Sequence, residues 1–391
     1  MTAPTEAALP QVDGDELLAG PRRLLARLDR LLSGRWWLLI VVGLALAISI
    51  LAAAPSYEGF HPHNKDWSAV EHWIDHPFSQ RGLDPTDRAY NFTFRVTVPL
   101  VGGLLGLPPV GFLVLQGLAG VGLFAASAAV VERVTGSRRL AALVTIAVGL
   151  TWAGACAFIE LRANFDAVAI ALLVAAMATR RVPLVTLCCF AACWTDERAI
   201  PAVAFVVLFH HVTTSRSVRW TSALTNPASL AAVAGVVLHV ITRVIATIHY
   251  DVHQPSNLGV HYLSDQLSII PVGMWTGLEG FWVVVAIATV LLWRIRERLQ
   301  ALAYVAVLVI SILAAASVVD VTRSMAYLLP AAFTAIAVVA RFGDRRTLRL
   351  STYAGFVATA VWPMYYVGGA FTIYWHYPLP LEIFRKLAGV G

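Results

Sequence analysis

The sequence predicts an all-α polytopic membrane protein with about eleven transmembrane helices, a cytoplasmic N-terminus and one long outer loop after the first helix. Three observations carry this: 58% of the 391 residues are hydrophobic, only 13% are charged, and the apolar residues fall into long runs separated by short, arginine-bearing breaks. Soluble domains carry about a quarter charged residues, so a chain this poor in charge, with a mean hydropathy of +0.71, is built for lipid. Disordered, collagen-like and disulfide-rich secreted classes are excluded together. Of the 29 basic residues only Lys65 and Lys386 are lysine, and the arginines lie scattered between apolar runs. That scatter reads as topology rather than as a nucleic-acid surface, so membrane lipid is the expected partner and nucleic acid is not. Cys156, Cys188, Cys189 and Cys193 lie in apolar stretches without metal-finger spacing and read as small buried hydrophobes.

Residues 1–34 are too long and too acidic for the leading region of a cleaved signal, which makes them a cytoplasmic tail before a retained anchor. Within it, Leu17 to Leu32 interleaves leucines with Arg22, Arg23, Arg27 and Arg30, a pattern for an amphipathic helix on the inner surface. Predicted spans follow at 36–54, 107–131, 140–158, 165–179, 182–194, 199–212, 227–248, 270–293, 299–319, 324–340 and 350–371. The transmembrane domain is 35–371, including the outer loop 55–98, and 372–391 forms an extracytoplasmic tail. With the N-terminus inside, 19 of the 29 basic residues fall on inner segments, which obeys the positive-inside rule at every inner loop. A bacterial plasma (inner) membrane, crossed many times, is the expected location.

The run Thr195-Asp196-Glu197-Arg198 tests the assignment. A single crossing over 182–212 would strand these charges at its middle and put the Arg294 and Arg341 clusters outside, so two short helices meeting at the run are preferred. Thirteen residues at about 1.5 Å rise reach about 20 Å, short of a hydrocarbon core about 30 Å thick. The turn then lies below the outer surface, and charge at that depth is tolerated only against protein or water. Glu160, Arg162 and Asp166 mark a similar outer turn, His239 and Arg243 interrupt the span at 227–248, and Asp320 with Arg323 marks another. Glu279 fits an interfacial helix before a shorter crossing. The functional face is expected to be extracytoplasmic.

The outer loop is rich in Trp, His and acids. Asp66 to His76 suits a short helix with Asp66 as N-cap and an apolar stripe of Trp67, Val70, Trp73 and Ile74 at the membrane interface. Phe94 to Leu105 suits a second short segment. An inside N-terminus, one span, a long outer loop with an early carboxylate at Asp66, about ten further spans and charged outer turns resemble, as a plan covering nearly the whole chain, the GT-C superfamily of polytopic glycosyltransferases. The paired acidic motif common in that family stands here as Lys65-Asp66, so only Asp66 carries over by position.

The resemblance implies inverting transfer of a sugar from a polyprenyl-phosphate donor to a cell-envelope glycan, lipid or protein acceptor. Such chemistry asks for a carboxylate base and a cationic cradle for the leaving phosphate. Asp66 is the expected base, with Glu71 or Asp196 as substitutes. Arg162, Arg198, Arg243 and Arg323 are the phosphate candidates, with Glu160, Asp166, Glu197 and Asp320 lining the substrate site. No P-loop or dinucleotide fingerprint is present. His72 and His76, four apart with His61, His63, Glu71 and Asp75 nearby, have a metal-compatible spacing, so a divalent metal stays open, although interfacial packing of such a loop is preferred. The rival classes are a membrane transporter of a small polar or anionic solute and a non-enzymatic scaffold. A transporter is disfavoured because the charges gather toward one side and no internal repeat is evident.

Overall fold

The computed structural model describes residues 26–27, 29–55, 57, 60–84, 90, 92–214, 225–252, 260–362, 364–368 and 372–389. Most of the expected surface helix, including Arg22 and Arg23, lies outside the described residues, as do Arg216 and Arg219.

Apolar runs bounded by capping residues make the helices. After α1 (Trp37–Ala53) come the short α2 (Lys65–Asp75) and α3 (Thr97–Leu104). α4 (Pro109–Thr135) opens on proline and stops at Gly136, whose φ of 64° suits glycine. α5 (Arg138–Leu150), capped by the Ser137 hydroxyl, bends by 57° into α6 (Trp152–Ile159). Next stand α7 (Asp166–Ala178), α8 (Val182–Thr195) and α9 (Ala199–Thr214), then α10 (Pro227–Tyr250), whose first backbone N–H groups donate to the Asn226 side chain. α11 (Val260–Asp265) and α12 (Ile270–Leu278) precede a 91° break at Glu279. α13 (Phe281–Arg294), α14 (Arg298–Ala316), α15 (Val321–Met325), which continues through a 3-10 turn into α16 (Leu329–Phe342), and α17 (Arg345–Val361) follow. An antiparallel hairpin of β1 (Tyr365–Gly368) and β2 (Thr372–Trp375), with Tyr365 opposite Trp375, leads to α18 (Leu379–Leu387).

The described chain is therefore all-helical apart from one hairpin, and several of its helices suit a multi-pass membrane protein. Pro109–Thr135, Pro227–Tyr250, Arg298–Ala316 and Val321–Phe342 are each long and apolar enough to cross a membrane, and the two bent pairs raise the number to six. α1, α7, α8 and α9 are apolar but shorter. Val321–Phe342 is the interior element, with 83% of its apolar window buried, whereas Pro227–Tyr250 has 28% buried and lies at the periphery. Small residues permit the close crossings: a Cβ on Gly235 of α10 would stand 2.8 Å from the Thr186 carbonyl of α8, and one on Gly280 would stand 1.9 Å from the Gly355 carbonyl of α17.

Four expectations are corrected. Asn64, not Asp66, caps α2, because it stands just before the first helical residue in extended conformation, where Oδ1 accepts from the Asp66 and Trp67 N–H groups at 3.0 and 3.1 Å, whereas Asp66 already lies in the first turn. The Trp67 and Trp73 stripe is buried by protein rather than by a lipid interface. The expected last span is a helix only over Arg345–Val361, and its remainder enters the hairpin. Glu279 is buried at the break, not carried on an exposed interfacial helix.

Two clusters of chain breaks define the ends of the bundle. At one, arginines cap carbonyls: Arg138 donates to Leu32 and Ser33 at 2.9 and 3.0 Å, Arg133 to Ala178 at 2.8 Å, Arg180 to Thr213 at 3.5 Å, and Arg341 to Val212. This is the arginine end. The other, the loop end, gathers α2, α3 and the turns at 160–166, 195–198 and 317–321.

Candidate functional site

The loop end is built around Asp166, the first residue of α7. The turn that delivers it holds two non-glycine residues in the left-handed region, Ala163 (φ 56°) and Phe165 (φ 58°), a local cost that surrounding packing must offset. Gln116 of α4 anchors the start of this turn by donating to the Glu160 carbonyl at 2.9 Å. Trp67 of α2 donates its indole N–H to the Leu161 carbonyl at 3.1 Å and packs against Phe60, Phe112 and Phe165. The outer-loop helix is thereby fixed to the Asp166 turn.

Asp166 accepts from Arg198 Nη2 at 2.6 Å, Arg323 Nε at 2.6 Å and the Tyr327 hydroxyl at 3.1 Å. Asp196, at the end of α8, accepts from the Arg198 backbone N–H at 2.9 Å, from Arg198 Nε and Nη2 at 2.7 Å, and pairs with Arg95 Nη1 at 2.7 Å. Arg323 Nη1 donates to Asp320 at 2.7 Å, and Arg198 Nη1 donates to the Ser324 hydroxyl at 3.1 Å. Three carboxylates and three guanidiniums thus form one neutral network. The Asp166 and Asp196 side chains are 1% and 0% exposed, against 38% for Asp320. Buried charges persist only when paired and hydrogen-bonded, and this network meets that condition.

Arg95 reaches the network because its segment is stapled to the end of α8. Val96 N–H donates to the Trp194 carbonyl at 3.0 Å, and the Thr97 hydroxyl donates to the Ala191 carbonyl at 2.9 Å. Its guanidinium lies 3.9 Å from the Phe92 ring centroid. Among the described residues, Arg323 Nη2 and Arg95 Nη1 are buried with no well-aligned hydrogen-bond acceptor, although the latter is within ion-pair range of Asp196.

Beside this network Glu197 is exposed and pairs with Arg243 of α10 at 2.8 Å. Arg243 and His239 border a groove of about 330 Å³ whose other walls include Ile200, Val240, Val244 and Ile248. His239 is fully buried against Trp194, ring centroids 4.9 Å apart, and neither of its ring nitrogens has a hydrogen-bond partner among the described residues.

The structure brings together Asp166, Asp196, Arg198, Asp320 and Arg323, with Glu197 and Arg243 adjoining. Arg162 is exposed, and Glu160 accepts from its backbone N–H at 2.8 Å. Asp66 is half-buried in the first turn of α2, and Glu71 is exposed farther along that helix. Asp196 is so fully engaged by two guanidiniums that it positions them rather than standing ready to take a proton. Arg95, Ser324 and Tyr327 escape sequence reasoning; the spacing of Arg323 and Tyr327, four apart on one helical face, is the one signal that points to Tyr327. A divalent metal finds no fitting donor set, since among the described residues no three His, Cys, Asp or Glu side chains gather to hold one. His72 Nε2 instead lies 2.9 Å from the Ser79 carbonyl. Compared with known proteins, the chain matches no family model, no curated protein and no solved structure.

Proposed function

We propose that this chain is a GT-C-like glycosyltransferase that moves a sugar from a polyprenyl-phosphate donor to a cell-envelope acceptor on the extracytoplasmic face of a bacterial plasma membrane. In this reading the chain crosses the bilayer about eleven times: the four long helices, the two bent pairs, the four shorter apolar helices and α17. The shorter crossings leave the loop-end turns recessed, where paired charge is tolerated.

The observation that carries the proposal is an aliphatic groove bordered by Arg243 and His239, joined through the Glu197–Arg243 pair to the adjoining buried network of guanidiniums and carboxylates. A lipid phosphate needs this combination, an apolar channel for its chain and planar cationic donors for its head. A soluble nucleotide-sugar would need no such channel. Asp66 is assigned as base, on a helix that Trp67 ties to the Asp166 turn. Its carboxylate takes the acceptor hydroxyl proton as the acceptor oxygen bonds to the sugar C1. The bond from C1 to the phosphate oxygen breaks, and the lipid phosphate leaves with the electron pair.

Purified protein supplied with radiolabelled polyprenyl-phosphate sugars and envelope acceptors should transfer label. Asp66→Asn should abolish transfer while thermal unfolding stays unchanged. Solute flux in liposomes without any transfer would instead establish the transporter class.

A further inference from the structure

We infer that α18 is a membrane anchor, a short helix that lies flat in the phospholipid surface at the loop end and is covered there by lipid rather than by protein. None of its residues is buried, and Phe384 and Leu387 are 66% and 84% exposed. At 3.6 residues per turn, Ile383, Phe384 and Leu387 share one side of the helix, while Glu382, Arg385 and Lys386 share the opposite side. The polar side is served from within the chain, since Arg385 donates to Glu382 at 3.4 Å and its guanidinium stands 4.3 Å from the Tyr377 ring centroid. The apolar side is left open.

A helix of nine residues is shorter than the roughly 12–15 that an isolated helix needs in water, so its helicity depends on whatever covers the apolar side. Its place in the fold identifies that cover. Val367 N–H of the hairpin donates to the Thr322 hydroxyl of α15 at 2.9 Å, and His376 hydrogen-bonds the backbone of Ala53, the last residue of α1. α18 then packs against α1, whose Leu44 and Leu51 are exposed, so the outward apolar surface of α1 continues into the open side of α18. Trp362, Tyr374 and Trp375, exposed at the base and edge of the hairpin, are the amphipathic rings that gather at a membrane–water interface. At about 1.5 Å per residue α18 is about 14 Å long, too short to cross a core about 30 Å thick, so it lies in the surface plane with its charged side toward the headgroups. A second copy is a poor cover, since a face of about 14 Å by 10 Å offers on the order of 140 Å² against about 800 Å² per partner in a stable interface. The inference rests on the membrane reading of the chain and is independent of the transfer reaction.

The test uses the full chain, lacking its four native cysteines, in nanodiscs that hold one copy each. A bimane fluorophore is attached at Phe384→Cys or at Glu382→Cys, and its emission is compared with and without phosphatidylcholine carrying a doxyl quencher near the headgroup. The label at Phe384→Cys should emit to the blue and lose most of its intensity to the quencher, whereas the label at Glu382→Cys should lose much less. Adding Leu387→Asp should restore the emission at Phe384→Cys while thermal unfolding stays unchanged, because the substitution touches only the open side. Hydrogen exchange on the chain with its native cysteines is the second measurement. Amides of Ile383 to Leu387 should be protected in nanodiscs and exchange about tenfold faster in Leu387→Asp, the loss of one buried leucine. No quenching at either position, equal quenching at both, or unprotected amides would overturn the inference. Shielding of Phe384→Cys that appears only with two copies per disc would assign the face to a second copy and overturn it as well.

Discussion

The two ends of the bundle use arginine in opposite ways. At the arginine end, the exposed Arg139–Asp29 pair apart, the guanidiniums sit on backbone carbonyls at helix C-termini, where they satisfy orphan acceptors and the helix dipole. At the loop end, Arg95, Arg198 and Arg323 are spent on Asp166, Asp196 and Asp320. Only the second arrangement is costly to break, because losing one partner leaves a buried ion uncompensated. Arginine count alone reports orientation. The choice of acceptor, carbonyl or carboxylate, marks where the chain has concentrated expensive chemistry.

The largest effect expected is at Arg198, which holds both buried aspartates. Arg198→Met should cost about 3–5 kcal/mol and lower the yield of folded protein, measured by thermal unfolding in detergent. Adding Asp196→Asn should recover part of that loss; if the double variant is no better than the single one, the network is not coupled as described. Next, Trp67→Phe removes the indole bond to Leu161 and leaves a small void, with an expected cost of about 1–2 kcal/mol and faster proteolysis of the outer loop. At the other end Arg138→Ala should cost only about 1 kcal/mol, since the Arg138 contact to the carbonyl of exposed Ser33 can be replaced by water. A larger loss there than at Arg198 would erase the distinction between the ends.

The smallest effect concerns pH. His376, beyond the last long helix, packs on Trp152, and burial pushes its pKa below the ordinary 6.5. The unfolded chain therefore binds this proton first, so stability present above pH 6.5 is lost as pH falls from there toward the folded value. Tryptophan fluorescence should report loosening of the hairpin over that window, and His376→Gln should remove the response.

Much of the helical layout is legible in the sequence because hydrocarbon demands long apolar runs, and breaks such as Thr195-Asp196-Glu197-Arg198 announce themselves by charge. α8 and α9 do meet at that run. Partners are less legible. Asp166 and Arg323 are 157 residues apart, and no local pattern links them. Arg95 lies in an aromatic loop segment with no periodicity to expose it, and only its staple to α8 reveals its destination. The Trp67 stripe has the same spacing whether lipid or protein covers it, so its burial by Phe60, Phe112 and Phe165 depends on tertiary packing. Glu279 is similar: a lone acid in an apolar run does not announce a 91° bend.

The central claim is that the paired network opens away from the cytosol while the arginine end faces it. Single cysteines replacing exposed Glu197 and exposed Arg346, in a background lacking the four native cysteines, test it with a membrane-impermeant maleimide on intact cells. Glu197→Cys should label at once and Arg346→Cys only after permeabilisation. The reverse pattern would contradict both the proposed transfer site and the orientation on which it rests.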